Sequence, residues 1–241
     1  MNHSLAALSL LLLAASCGTS DTSKKDMSTT APTRENPFAQ ESTLYMGAPD
    51  FTKIHNGDFG PAMEDGMKKQ MDEVKAIDDN SEKPTFDNTI IAMEKSGQEL
   101  TRAQKVFFNL VACNTNDSLQ ATNKDIAPKL AAHSDAINLD PKLFARVKSL
   151  YDKRDSLGLD SVSTRLVERY YTQMVRAGAQ LSDADQKKLR ALNEEESKLT
   201  TLFVDNLLKQ VNKAAVLVDD KAKLDGMTDA EIDAAAAAAK A

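Results

Sequence analysis

The chain has 241 residues, 41% hydrophobic and 27% charged, the balance of a globular protein with room for one large domain or two small ones. With 30 basic and 36 acidic side chains its formal net charge is −6, and no local stripe of Lys and Arg stands out, which argues against a nucleic-acid partner. Only 9 Gly and 7 Pro punctuate the chain, few for an all-β protein, and two Cys and three His bound its metal and redox chemistry tightly.

Leu5 to Ala15 is apolar apart from Ser9. The run is too short to span a bilayer as a lasting helix but fits the core of a signal peptide, here residues 1–16. Ala14-Ala15-Ser16 leads into Cys17, which resembles the bacterial lipobox, whose Cys is acylated and becomes the first mature residue. The competing reading is an ordinary secretory signal, since the n-region has no Lys or Arg, only the terminal amine and His3. Residues 18–40 are rich in Ser, Thr, Lys, Asp and Pro and too poor in apolar side chains to order themselves. Residues 17–40 therefore read as a lipidated Cys and a flexible tether spanning roughly 25 Å. The expected arrangement is a body of residues 41–241, anchored to a membrane through Cys17 in a bacterial cell envelope and facing the periplasm.

From residue 41 the periodicity is helical. Pro61 to Asp79 carries Met63, Met67, Met71, Val74 and Ile77 on one face, with Pro61 suited to the first turn. A second pattern runs from Asp87 to about Ala112 with Ile90, Met93, Gly97, Leu100, Phe107 and Leu110, Gly97 allowing a close helix contact. Asp117 to Ile137 follows with Leu119, Ile126, Leu130 and Ile137. Asp140-Pro141 is a strong start signal, an N-cap Asp before Pro at the first helical position, for a helix with Leu143, Phe144, Val147, Leu150, Tyr151 and Leu157. Asp160 to Ala177 presents Val162, Leu166, Tyr170 and Met174, and Gly178 suits a terminator.

Ser182 opens the longest pattern, in which Leu189, Leu192, Leu199, Phe203 and Leu207 recur to about Lys213. At most one short extended segment is predicted, at Val216-Leu217-Val218. Thr228-Asp229-Ala230-Glu231 has the spacing of a capping box, so a last helix begins there and runs to the final residues, as if cut inside an element. The fold class is all-α, antiparallel helices on short loops.

Chemistry is sparse. His55 and His133 have no partner at i+4, so no helical His-Glu-x-x-His site is present. Glu194-Glu195-Glu196 and Asp219-Asp220 read as solvated faces rather than ligand sets. Cys113, in the apolar stretch Phe107 to Ala112, is expected to be a buried small hydrophobe. No catalytic, cofactor-binding or metal-ligating residue is assigned, and Cys17 is the only modification site.

An ordered set of strings is more specific. Asn36-Pro37-Phe38, Pro84-Thr85-Phe86-Asp87-Asn88-Thr89-Ile90, Glu94-Lys95-Ser96-Gly97 and Asn114-Thr115-Asn116-Asp117 come first. Ala127-Pro128-Lys129-Leu130-Ala131-Ala132-His133-Ser134-Asp135, Leu143-Phe144-Ala145-Arg146-Val147 and Glu168-Arg169-Tyr170-Tyr171 follow. Together they resemble the N-terminal part of the M3 zinc metallopeptidases, the thimet-oligopeptidase-like family, and within it the peptidyl-dipeptidase and oligopeptidase A group. The resemblance runs from about residue 36 to the end. One departure is Thr43-Leu44-Tyr45, where relatives commonly carry a Pro before the Tyr.

The resemblance implies a helical fold whose halves enclose a narrow channel admitting short unstructured peptides. It also implies zinc in the full-length family, held by a His-Glu-x-x-His helix and a downstream Glu, none of which matches a residue here. On this reading the chain is a truncated peptidase lipoprotein, inactive alone, whose complete form releases C-terminal dipeptides. The alternative is a stand-alone helical lipoprotein acting as a peptide-binding or scaffold module. Oligomeric state is not legible.

Overall fold

A computed structural model describes residues 35–214 and 216–239, and every α- or π-helical or 3-10 element among them is joined by short loops, with no strand. The chain enters through two 3-10 turns, Tyr45–Gly47 and Asn56–Asp58. Helix α1 (Phe59–Asp78) then runs for 20 residues, about 30 Å, with Pro61 in its first turn as predicted.

Thr85 opens the next helix with a capping box. Its hydroxyl accepts from the Asn88 N–H at 3.1 Å, and Asn88 Oδ1 accepts from the Thr85 N–H at 2.8 Å. The first turns, Phe86–Ile91, are wound as a π-helix and continue into α2 (Ala92–Lys95). Here the single helix expected from Asp87 to Ala112 is broken. Ser96 is extended and Gly97 is left-handed at φ +69°, so α3 starts afresh (Gln98–Cys113). Glu73 Oε2 of α1 accepts from the Gly97 N–H at 2.7 Å, tying the break to the first helix. Gly97 therefore serves a backbone turn that other residues rarely adopt.

The remaining helices start where their caps predict. Asn116 Oδ1 accepts from the Leu119 N–H at the head of α4 (Asp117–Asn138), which carries Pro128 internally. Asp140 accepts from Lys142 and Leu143 at 2.7 and 3.0 Å to open α5 (Pro141–Tyr151). Asp160 caps α6 (Ser161–Arg176), and Gly178 follows at φ +100°. Ser182 caps α7 (Asp183–Lys213), and Thr228 with Glu231 forms the predicted box at α8 (Asp229–Ala238). Val216–Val218 is irregular and makes no strand.

Two hydrophobic clusters form the core, and α1 belongs to both. Phe59, Ala62 and Met63 join Leu100, Ala103 and Phe107 of α3 and Leu119 and Ile126 of α4. Val74 and Ile77 join Ile90, Met93, Leu143, Val147, Leu150, Val167 and Met174. Between the two, Gly66 lies against the α3 backbone: a Cβ there would stand 2.8 Å from both N and Cα of Leu100.

Several sequence expectations are corrected. The folded body begins inside the stretch read as tether. Phe38 is only 4% exposed and its ring centroid lies 5.4 Å from that of Phe59. Arg102 Nε and Nη2 donate to the Phe38 and Ala39 carbonyls at 2.9 and 3.0 Å, so a short segment poor in apolar residues is held by backbone acceptors and one aromatic. Val162, assigned to a buried face, is 77% exposed in the first turn of α6, where nothing packs over it. Leu192, Leu199, Phe203 and Leu207 of α7 are also exposed, because α7 meets α4 through its polar side.

The Gly66 contact gives the first prediction. Gly66→Ala should lower stability in urea denaturation by about 1–3 kcal/mol, because backbone rather than a flexible side chain must shift. Gly57→Ala, where a Cβ meets nothing within 4 Å, should change stability by less than about 0.5 kcal/mol.

Candidate functional site

The residues with chemical potential are spread over the body rather than gathered. His55 sits on the turn before α1, where Asp58 Oδ2 accepts from its N–H at 2.8 Å and its Nδ1 lies 3.2 Å from the Lys53 carbonyl. His133, on α4, places Nε2 2.7 Å from Gln70 Oε1 of α1, and partial burial holds its pKa below the usual imidazole value. Among the described residues no three or more His, Cys, Asp or Glu side chains are grouped to hold a metal. The described residues therefore offer no set that fits the zinc that the family resemblance implies.

Glu194, Glu195 and Glu196 are all exposed on α7, and Glu194 pairs with Lys198 at 2.5 Å. Asp220 caps a 3-10 turn by accepting from the Ala222 N–H at 3.0 Å, and Asp219 pairs with Lys223 at 3.5 Å. Cys113 is exposed, not buried. It is the last residue of α3, where the helix leaves the core, and its Sγ donates to the Asn109 carbonyl at 2.9 Å. Cys17 and His3 lie outside the described residues.

Two polar arrangements were not visible in the sequence. Glu99, nearly buried on α3, accepts from Asn36 Nδ2 at 2.8 Å and from Lys69 Nζ at 3.2 Å, which fastens the entering chain to α1 and α3. Arg146, 8% exposed on α5, donates from Nη1 to the Asn80 carbonyl at 2.9 Å and from Nη2 to Asn88 Oδ1 at 3.0 Å. It pins the loop between α1 and the π-turn. Beside it, Asp78 Oδ1 is buried without a hydrogen-bond partner, and burial, reinforced by Asp140, pushes the Asp78 carboxyl up to about 6. Sequence spacing carries no signal for either, since each joins segments far apart in the chain.

The long helix has an unusual polarity. Towards α4 it presents Asn193, whose Nδ2 donates to Asp135 Oδ1 at 2.8 Å, and Asp205, which is 2.9 Å from Lys124 Nζ. Lys209 and Lys124 together hold the Asp205 carboxyl below the usual carboxylate range. Its exposed large apolar side chains are Leu192, Leu199, Leu202, Phe203, Val204, Leu207, Leu208 and Val211, Phe203 at 67%. A second exposed apolar group, Leu44, Tyr45, Met46 and Phe51, surrounds the first 3-10 turn, where Met46 is left-handed at φ +55°.

Over 208 residues the chain is 44% identical to the dipeptidyl carboxypeptidase of Escherichia coli K12, an alignment covering 86% of this chain and 30% of that protein. The dipeptidyl carboxypeptidase of Salmonella typhimurium is 38% identical over 85% of this chain, again 30% of the relative. An organellar oligopeptidase A of Arabidopsis thaliana is 22% identical over 80% of this chain and 24% of its own length. No protein-family profile matches the chain. The resemblance drawn from the ordered strings thus holds: the chain matches the N-terminal part of an M3 peptidase and spans about 30% of the length of the curated carboxypeptidases it resembles.

Two measurements check the geometry. Asp78 has its folded pKa raised to about 6 from an ordinary 3.8, so its native environment favours the protonated form. Its stabilising contribution is complete below pH 3.8 and is lost as pH rises through 6. Asp78→Asn should therefore stabilise the protein at pH 7.5 by on the order of 1 kcal/mol, the value expected for a partly screened group, with the gain gone by pH 4 in urea titrations. Cys113 should react fully with a thiol reagent under native conditions, as fast as in urea. Protection released only by denaturant would contradict its exposed placement.

Proposed function

We propose that this chain is the N-terminal helical part of a zinc metallopeptidase that cleaves short oligopeptides and releases C-terminal dipeptides. The supporting observation is the 44% identity over 86% of the chain to a dipeptidyl carboxypeptidase. The contribution of this chain is fold and substrate-channel surface. The catalytic zinc and its ligands belong to the part of the relatives that the chain does not match. The peptide substrate is handled by the complete enzyme and hydrolysed there.

The reading includes an anchor. Residues 1–16 act as a signal peptide and Cys17 is lipidated, which places the body at a bacterial envelope membrane, on the periplasmic side. The apolar run Leu5 to Ala15 and the small residues leading into Cys17 support this part, and they do so from the sequence alone.

Two outcomes are expected. The purified 241-residue chain, incubated with zinc and a quenched-fluorescent oligopeptide, should give no chelator-sensitive turnover and should retain no stoichiometric zinc after desalting. Turnover at an enzymatic rate would refute the assignment of catalysis to residues outside the chain. Cys17→Ala should abolish lipid labelling and shift the protein from the membrane fraction to the soluble fraction, or block its processing. Acyl chains contribute about 0.8 kcal/mol per buried CH₂, enough to hold a body of this size at a membrane. Identical fractionation of wild type and variant, with no lipid on the wild type, would remove the anchor from the reading.

A further inference from the structure

The junction where α1 ends and α5 begins holds two carboxylates and commits its nearby cations to other acceptors. Asp78 closes α1, and its Oδ1 is buried without a hydrogen-bond partner among the described residues. The charged groups facing it are its neighbour Asp79, and Asp140, Lys142 and Arg146 of α5 and its cap. Lys142 Nζ lies 3.3 Å from Asp79 Oδ1, and Lys75 pairs with the other oxygen of the same carboxylate. Arg146 spends Nη1 on the Asn80 and Glu82 carbonyls, at 2.9 and 3.4 Å, and Nη2 on Asn88 Oδ1. Its Nε is buried and unpaired. Asp140 is fixed by its capping role, accepting from the Lys142 and Leu143 N–H groups.

We propose that Asp78 and Asp140 form a pH-sensitive clasp: the junction of α1, the 79–85 loop and α5 is closed while Asp78 carries a proton and opens locally once Asp78 is ionised. An ionised Asp78 has an unsatisfied buried oxygen and faces a second carboxylate that cannot turn away without uncapping α5. Attraction from Lys142 and Arg146 offsets this only in part, and burial, then Asp140, raises the Asp78 carboxyl to about 6. With the open form titrating near the ordinary 3.8, the closed form binds more protons between those values, so opening grows as pH rises and levels off above 6. The segment released is defined by the Arg146 contacts: the 79–85 loop and the π-turn that begins at Phe86. The crossing of α1 and α3 at Gly66 lies more than three helical turns back along α1 and stays closed.

The test is native-state amide exchange on the full 241-residue chain at pH 5 and 7.5, each rate divided by that of an unstructured peptide at the same pH. The amides of Asn80, Asn88 and Leu143 should open about three- to tenfold more at pH 7.5 than at pH 5, the lower figure allowing for solvent screening. Their exchange should not respond to urea below the unfolding transition, the mark of local opening, whereas Ala103 and Phe107 in the α1–α3 core should respond. Asp78→Asn should abolish the pH dependence at the junction. Asp140→Asn, which retains a good N-cap, should reduce it without fraying α5. Junction exchange that does not change with pH would overturn the clasp. So would a pH dependence that survives Asp78→Asn, because another group would then be titrating. A pH dependence confined to urea-sensitive exchange would also overturn it, since Asp78 would then act only through global unfolding.

Discussion

The crossing of α1 and α3 at Gly66 and Leu100 is the contact on which the rest of the body depends. Any other residue at position 66 would put a Cβ 2.8 Å from the Leu100 backbone, so only glycine lets the two helices approach this closely. That approach lets Phe59 and Met63 meet Phe107 on one side of the crossing, while Val74 and Ile77 continue past it into the second cluster. A helix that feeds two cores cannot move in one without disturbing the other. The Gly97 turn follows from the same constraint. It reverses the chain beside Gln70 and Glu73, and its N–H is taken by the Glu73 carboxylate, so α3 is launched along α1 from a fixed point. Asn36 and Lys69, bound to Glu99 two residues later, close the same junction from the other side.

The second organising feature is the polar seam between α4 and α7. Ion pairs near a surface contribute little each, typically well under 1 kcal/mol. The seam differs because Asp205 is nearly buried and shared by Lys124 and Lys209, and because Asn193 satisfies the buried Asp135. Removing Lys124 would leave Asp205 to Lys209 of its own helix, and removing Asn193 would take that donor from the buried Asp135, so the cross-helix contacts cannot be lost without cost. The seam therefore sets the orientation of α7 more than it adds stability. That orientation turns an apolar stripe towards solvent.

The helices and their starts were largely legible in the sequence, because N-caps are local chemistry. Asp140, Asp160, Ser182 and Thr228 each bond an N–H two or three residues ahead, and that geometry needs nothing from the rest of the fold. Periodicity was less informative, because it tells which residues share a face and not which way the face points. Leu199 and Phe203 share a stripe as expected and face outward. Gly97 lay on a helical stripe by spacing, yet the demand for a left-handed residue between α2 and α3 is tertiary. Cys113 followed an apolar run, but α3 leaves the core before it reaches that residue. Phe38 was masked by its polar neighbours, since one buried ring and two carbonyls accepted by Arg102 have no compositional signature.

The family resemblance was legible by a different route. Ordered strings such as Pro84 to Ile90 encode a capping box, a π-turn and the Asn88 that receives Arg146, and those contacts constrain several residues at once. Leu143 to Val147 supplies that same arginine together with two core positions. In strings of this kind a change in one member unpartners another, whereas a leucine exchanged on an exposed stripe unpartners nothing. A family resemblance can therefore be carried by contacts that hold the fold. What such a segment offers a partner is its surfaces, and the polarity of α7 sets one of them.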